Sequence, residues 1–346
     1  MTDTKKKILL IGTGGTIACK QSDSGLIPVL TAEELLSHVP EVREFCQVTS
    51  LQLCNIDSTD VTPSHWLEFA RAIKENYDDN DGFLICHGTD TLAYTAAALS
   101  YLIQNSSKPI VITGAQKPID SMDTDARRNL RDSLIYASDD RSCNVTIVFD
   151  GKVIAGTRAK KERSKSYDAF SSINYPNLAV VRDGRVIRYI DDKPEMVSEV
   201  ATGGAVFNRV SFASGVSDRV FILKLTPGMS GDILPNLFAK YECIIVESFG
   251  VGGIPTYLME NFRQEMETHN TLVIMATQVA EEGSDMSVYQ VGHDVKYDFD
   301  LLETYDMTLE AAYAKACWLL GREEAADHAA IKDLFYTPVN HDITCN

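Results

Sequence analysis

The chain lacks the spacings that mark metal and disulfide chemistry. Its eight cysteines, Cys19, Cys46, Cys54, Cys86, Cys143, Cys243, Cys317 and Cys345, include no C-x-x-C pair. That excludes a zinc ribbon and a thioredoxin-type redox motif. The seven histidines form neither H-x-H nor H-E-x-x-H, so the sequence supports no metal centre. Positive charge is scarce: 32 Lys and Arg stand against 49 Asp and Glu, a formal charge of −17. A surface of that sign repels phosphate backbones and anionic lipid, so nucleic acid is not expected as a partner. Long apolar runs are missing too. None reaches the roughly 18 residues that a membrane-spanning helix needs. Lys5-Lys6-Lys7 before Ile8-Leu9-Leu10-Ile11 imitates an export signal, but the apolar run stops at Gly12, short of the roughly 7–15 residues required. Several cysteines sit inside apolar runs and read as small buried hydrophobes, reduced in a cytoplasmic protein.

What is present is an ordinary globular composition, 45% hydrophobic and 23% charged over 346 residues. That length favours two domains over one core. The first half alternates short apolar runs with helical patterns. Strands are expected at 8–11, 82–86, 109–113 and 145–149. Helices are expected from Thr62-Pro63, with Trp66, Phe69, Ala70, Ile73 and Tyr77 on one face, and over about 90–104 and 123–137. Regular alternation predicts an α/β fold with a parallel sheet covered on both faces. Ligands bind such sheets beyond the carboxyl ends of the strands. A polar stretch from about 182 to 219, with Asp191-Asp192-Lys193-Pro194-Glu195 and Thr202-Gly203-Gly204, reads as a linker. This gives an N-terminal domain of 1–190, a linker of 191–219 and a smaller α/β domain of 220–346. In the latter, strands are expected at 220–225, 243–247 and 272–276. Helices are expected near 233–241, 256–266, 308–320 and 323–334.

Three clusters follow expected strand ends or turns. Gly12-Thr13-Gly14-Gly15-Thr16-Ile17 brings backbone amides close to a ligand. It has Ile17 where a dinucleotide fingerprint needs its third glycine, and it has no P-loop lysine. A self-bonded hydroxyl turn and a threonine nucleophile both remain open. His87-Gly88-Thr89-Asp90-Thr91 reads alone as a helix cap, and Asp57-Ser58-Thr59-Asp60 alone as a solvated turn. Lys160-Lys161 reads alone as a solvated basic loop.

Together the clusters suit a small amino acid with a side-chain amide. Asp57 or Asp90 can hold its ammonium, and Ser58 and Thr59 its carboxylate. The amide carbon needs a nucleophile and an oxyanion site. A threonine hydroxyl needs a base within reach. His87 and a neutral lysine are both candidates. Burial lowers a lysine pKa and a neighbouring Asp90 raises it, so the two effects oppose.

In Thr13-Gly14-Gly15-Thr16-Ile17, Asp57-Ser58-Thr59-Asp60 and His87-Gly88-Thr89-Asp90-Thr91 the chain resembles the bacterial type I, cytoplasmic L-asparaginases. Further matches are Thr113-Gly114-Ala115-Gln116-Lys117-Pro118, Tyr167-Asp168-Ala169-Phe170-Ser171 and Ser248-Phe249-Gly250-Val251-Gly252. They span nearly the whole chain. The resemblance implies a larger N-terminal domain with a mostly parallel sheet and a smaller flavodoxin-like C-terminal one. It implies hydrolysis of L-asparagine to L-aspartate and ammonia, with an acyl-enzyme on Thr16. It places Thr89, Asp90 and Lys161 as a second catalytic group, and Asp57, Ser58 and Thr59 with Thr89 and Asp90 in the substrate pocket. Lys161, not Lys160, keeps the family's distance from Tyr167-Asp168-Ala169-Phe170. No metal or organic cofactor is implied, and the implied assembly is a homotetramer of tight dimers.

Two departures from the family pattern stand out. Many members carry a tyrosine just before the Ile-Pro of the loop after the nucleophile; here Leu26 precedes Ile27-Pro28. Proton transfer would then fall to Lys161, a water or another tyrosine. Some type I members also have an effector site with an arginine and a cysteine, where this chain has Glu247 and Val279. Three other functions fit the same scaffold: a broader asparaginase-glutaminase, a non-catalytic amino-acid sensor, and the subunit of a tRNA-dependent amidotransferase. The last carries an extra N-terminal domain, against which the early nucleophile motif argues.

Overall fold

A computed structural model describes residues 5–22, 25–191, 196–198, 205–207, 209–287, 301–322 and 328–344. The chain separates into two compact units, Met1–Ala213 and Ser214–Asn346. Each is an α/β layer structure built on a mainly or wholly parallel sheet.

In the first unit, β1 (Lys6–Gly14) leads into a hairpin of β2 (Cys19–Ser22) and β3 (Gly25–Pro28). There follow α1 (Ala32–Ser37), β4 (Cys46–Ile56), α2 (Pro63–Glu75), β5 (Gly82–Cys86), α3 (Leu92–Leu102), β6 (Ile103–Gln104), β7 (Ile110–Thr113) and α4 (Ala126–Ala137). Then come β8 (Val145–Phe149), β9 (Lys152–Ala155), β10 (Ala159–Lys161), β11 (Phe170–Ser172), β12 (Ala179–Arg182) and β13 (Arg185–Arg188). The main sheet has the order β13-β12-β9-β8-β7-β5-β1-β4. The five strands from β8 to β4 are parallel, and β9, β12 and β13 continue the sheet antiparallel. Every residue of β5 and β8 is buried, as strands covered on both faces require. Each fully buried Ile, Leu or Val there contributes about 1.5–3 kcal/mol.

The helices follow from local chemistry. Thr62 and Pro63 start α2, the Thr62 N–H donating to His65 Nδ1 at 3.0 Å, and Trp66, Phe69, Ala70 and Ile73 form its buried face. All of α3 except Tyr94 is buried, which suits its Ala- and Leu-rich sequence. α4 buries Ala126, Asn129, Leu130, Ser133, Leu134 and Ala137.

Several boundaries differ from the sequence reading. α3 starts at Leu92, two residues after the expected Asp90, because that carboxylate is paired elsewhere. It ends at Leu102, where the β-branched Ile103 turns to extended backbone and pairs with Phe212. α4 begins at Ala126, since Asp123 pairs with Lys117. The edge strand β4 carries no strand signal in the sequence, because Gln, Thr and Ser interrupt its apolar pattern. The expected linker contains two further short strands, β14 (Met196–Ser198) and β15 (Ala205–Phe207), which pair antiparallel. Residues 192–195, 199–204 and 208 of it lie outside the described residues, and β16 (Ser211–Phe212) pairs with β6.

Among the described residues the second unit has four parallel strands in the order β17 (Val220–Lys224), β18 (Cys243–Ser248), β19 (Leu272–Thr277), β20 (Leu302–Glu303). Its helices among the described residues are α5 (Leu234–Lys240), α6 (Thr256–Thr268), α7 (Leu309–Leu320) and α8 (His328–Tyr336). The start of the expected last helix, 323–327, lies outside the described residues. Thr308 caps α7, accepting from Ala311 N. Among the described residues no helix is long and apolar enough to cross a membrane.

Candidate active site

The end of β1 is a close-packed glycine bend. Its pairing with β4 slips between Gly12 and Gly14. Gln52 spans the slip, its amide donating to Cys54 O at 2.5 Å and its Oε1 accepting Ala32 N at 2.7 Å. Gly14 (φ 105°) and Gly15 (φ 76°) hold left-handed backbone that other residues rarely adopt. Gly15 N donates to Ile56 O at 3.0 Å. A Cβ on Gly15 would lie 2.3 Å from Gly88 Cα, and one on Gly88 would lie 2.5 Å from Ser58 Oγ. Gly88 is thus wedged between the Thr16 bend and the Asp57–Asp60 turn. Three segments distant in sequence meet at the carboxyl ends of β1, β4 and β5.

The two threonines of the bend part company here. Thr13 is buried and donates to Cys86 O at 2.9 Å, a bond that holds neighbouring strands. Thr16 opens a 3-10 turn, Thr16–Ala18, whose Ile17 and Ala18 are buried while Thr16 itself is half-buried. Its hydroxyl donates to and accepts from no side chain among the described residues. Thr13 is thus spent on a bond between strands rather than on its own turn, and Thr16 is left available.

Thr89 and Asp90 do not cap α3. The N-cap is Thr91, without a side-chain cap bond. Instead Lys161 Nζ donates to Thr89 Oγ1 at 2.7 Å and to Asp90 Oδ1 at 2.6 Å. Lys161 ends β10, which pairs with β11 in the register Lys161↔Phe170. Strand alternation points Lys161 the same way as the buried Ala159 and sends Lys160 to the opposite face. The Lys161 side chain is 17% exposed, so it is no solvated loop residue. An amine bonded to a hydroxyl can accept that hydroxyl's proton once it is neutral, and the adjacent carboxylate balances it when charged.

Asp57 and Thr59 are exposed and Ser58 is buried. Asp57 Oδ1 accepts both Thr59 N and Thr59 Oγ1 at 2.9 Å. Ser58 O accepts Thr91 Oγ1 at 2.7 Å, tying this turn to the start of α3. The Asp57 charge also reaches the glycine bend. Burial first, and then that carboxylate, push the Cys19 thiol upward. Asp57 directly follows Ile56, whose carbonyl accepts Gly15 N at 3.0 Å, so this turn adjoins the bend that carries Thr16.

His87 is not a base for this site. It is fully buried, which pushes its pKa down to about 4. One assignment satisfies every group around it. Trp66 Nε1 donates to Thr95 Oγ1 at 3.2 Å, the Thr95 hydroxyl donates to His87 Nε2 at 3.1 Å, and His87 Nδ1 donates to Gly88 O at 2.7 Å. Both ring nitrogens are spent on structure.

Sequence reasoning placed Gln116 in a motif without a role and passed over Asp125. Gln116 Oε1 accepts Thr89 Oγ1 at 3.4 Å, and its N–H donates to the Asp125 carboxylate. The signal for Asp125 is one of two carboxylates, Asp123 and Asp125, in front of an amphipathic helix, which reads the same as any cap.

Leu26 and Ile27 lie on the β2–β3 hairpin and are half exposed. In the second unit, Glu247 pairs with Lys224 at 3.3 Å and Val279 is exposed. Among the described residues no group of His, Cys, Asp and Glu is disposed to hold a metal ion. A cleft of about 820 Å³ lies between the 40–44 turn, α4 and the β12–β13 hairpin, lined among others by Glu41, Phe45, Arg131, Asp139 and Arg185. None of Thr16, Thr89, Asp90 or Lys161 lines it, so it is separate from this chemistry.

Comparison with known proteins matches residues 7–194 to a family described as "Asparaginase, N-terminal" and residues 219–335 to "Glutaminase/Asparaginase C-terminal domain". The chain is 35% identical over 318 residues to an L-asparaginase of Thermococcus kodakarensis, covering 91% of this chain and 93% of that one. It is 33% identical over 331 residues to L-asparaginase 1 of Escherichia coli K12, with 92% and 93% covered. It is also 33% identical over 325 residues to a glutamyl-tRNA(Gln) amidotransferase subunit of Pyrococcus furiosus, covering 91% of this chain and 72% of that one. The solved thermostable L-asparaginase of T. kodakarensis superimposes with a TM-score of 0.88 at 33% identity, covering 98% of this chain and all of that one.

Proposed function

Since the chain belongs to the asparaginase family, we propose that it hydrolyses the side-chain amide of L-asparagine to L-aspartate and ammonia through an ester on Thr16. The observation that carries this reading is the Lys161–Thr89–Asp90 cluster, built on a glycine wedged between the Thr16 bend and Ser58.

In this reading the Asp57 and Asp90 carboxylates hold the substrate ammonium, and Ser58 and Thr59 hold its α-carboxylate. Charge-assisted bonds of this kind contribute about 1.5–3 kcal/mol each. Thr16 Oγ1 attacks the amide carbon and gives up its proton. The carbon–nitrogen bond breaks, and the nitrogen leaves as ammonia after gaining that proton. Water then adds to the ester, one of its protons returns to Thr16, and aspartate departs. Lys161, working through Thr89, is the proton acceptor and donor for one or both halves. With Leu26 on the hairpin, no phenol assists from that position.

Ammonia release from L-asparagine by the wild type, and its loss in Thr16→Ala with the circular dichroism spectrum unchanged, is the expected result. Release at the wild-type rate by Thr16→Ala removes that hydroxyl from the mechanism. Glutamine as an additional substrate is a second reading, favoured by the C-terminal match to a glutaminase/asparaginase domain. One methylene changes discrimination by about 1–3 kcal/mol, and kcat/KM for the two amides decides it. We also propose a cytoplasmic homotetramer. The type I resemblance supports it.

A further inference from the structure

The loop between β7 and α4 reaches the Thr89–Lys161 pair through a side chain to which the mechanism above gives no task. Its base is rigid. Gln116 N donates to both oxygens of Asp125 at 3.1 and 2.9 Å, and Lys117 N donates to Asp125 Oδ1 at 3.1 Å. Asp125 is 7% exposed and also accepts Asn129 Nδ2 at 3.2 Å. Asn129 Nδ2 donates in addition to Gly114 O at 3.0 Å, and Asn129 Oδ1 accepts Asp150 N at 2.9 Å. Gly114 lies against its other neighbour, since a Cβ there would be 2.4 Å from His87 O.

From this base the Gln116 carboxamide works in two directions. Nε2 donates to Arg163 O and to Ser166 O, both at 3.1 Å. Oε1 accepts from Thr89 Oγ1 at 3.4 Å. The two donors and the acceptor of the amide are all engaged. Arg163 and Ser166 belong to a strap, residues 162–169, that leaves β10 directly after Lys161 and returns as β11. The strap is closed at its root, where Glu162 N and Arg163 N donate to Ala169 O at 2.9 and 3.3 Å. Farther along, the Tyr167 hydroxyl donates to Asp123 O and Arg163 Nη1 donates to Asp168 O at 2.8 Å. Gln116 is the side chain that connects this strap to Thr89.

We propose that Gln116 is a positioning residue, whose carboxamide locks the strap behind Lys161 to Thr89 and so sets the Lys161 Nζ–Thr89 Oγ1 contact. The inference rests on the amidase reading above. With Lys161 donating to Thr89, the Thr89 hydrogen is directed at Gln116 Oε1. When the amine is neutral, that hydrogen swings to the amine, and the held geometry makes the swing short.

The test uses Gln116→Met and Gln116→Glu in the full chain. Methionine keeps the volume and loses all three bonds. Glutamate keeps the acceptor and turns a carboxylate toward two carbonyl oxygens. Both variants should lower kcat for asparagine roughly 10- to 100-fold, with KM within about threefold. As pH falls toward 5 the glutamate takes up a proton and regains one donor, so its kcat should rise relative to that of the methionine variant. A purely structural role does not produce that divergence. Hydrogen exchange at the Glu162 and Arg163 amides should quicken in both variants. Wild-type kcat in either variant overturns the proposal, as does unchanged exchange at both amides. A wild-type protein that releases no ammonia overturns the amidase reading instead, and the exchange comparison then tests the tether by itself. If Gln116→Met fails to fold, Gln116→Glu alone decides through its exchange rates and pH profile.

Discussion

Acid should weaken the first unit through a single buried imidazole. His87 is pushed from 6.5 to about 4 because burial removes the charged form from water, the Gly88 carbonyl offsetting only part of that. Its folded pKa therefore lies below its unfolded one. Above pH 6.5 both states leave it neutral, and its contribution is constant. Between pH 6.5 and 4 the unfolded chain binds a proton that the folded chain refuses, and stability falls as pH falls. At 1.36 kcal/mol per pKa unit the loss across that window is about 3 kcal/mol. The neighbouring bonds explain why. The Nδ1–H is taken by Gly88 O, and Nε2 accepts from a Thr95 hydroxyl that is already oriented by Trp66. A second ring proton would meet that hydroxyl donor. The assay is urea unfolding followed by Trp66 fluorescence at intervals from pH 7 to 4. The protein has two tryptophans, so a Trp318→Phe background leaves Trp66 as the reporter of the first unit. Subtracting the same series for His87→Gln cancels every other titrating group, including Asp125, which burial raises. The difference should change by about 3 kcal/mol over the window. Parallel curves would show that His87 titrates normally and that its ring is not packed in this way.

Two further outcomes follow from the site. In Gly88→Ala the new Cβ would sit 2.5 Å from Ser58 Oγ and 2.7 Å from Ser58 Cβ, so the Thr16 and Asp57 segments must separate. We expect kcat/KM for asparagine to fall about a hundredfold or more, and activity within a factor of two of wild type would refute the wedge. For Lys161→Met we expect kcat to fall by roughly 10²–10⁴ with a much smaller change in KM. A raised KM at near-normal kcat would reassign Lys161 to substrate positioning.

The parallel α/β organisation was readable because it rests on local regularities. Short apolar runs, three- and four-residue apolar steps in 66–73 and hydroxyl or proline starts at Thr62 and Thr308 are visible without any partner. Elements whose pattern depends on a neighbour were not readable. β4 is a polar-interrupted edge strand that exists because β1 pairs with it. Helix α3 starts late because Asp90 is drawn to a lysine 71 residues away.

Chain chemistry by itself determined which side-chain types were on offer: a glycine bend bearing two threonines, two acidic hydroxyl-rich turns and a pair of adjacent lysines. It could not rank them, since each has an ordinary local explanation. Tertiary structure decided that Thr13 is spent on Cys86 while Thr16 is not, that Lys161 rather than Lys160 meets Thr89, and that His87 is packing. The reason is geometric. Periodicity acts over a few residues, whereas these choices depend on the order β4-β1-β5-β7, which sets separate strand ends side by side at distances of a few ångström.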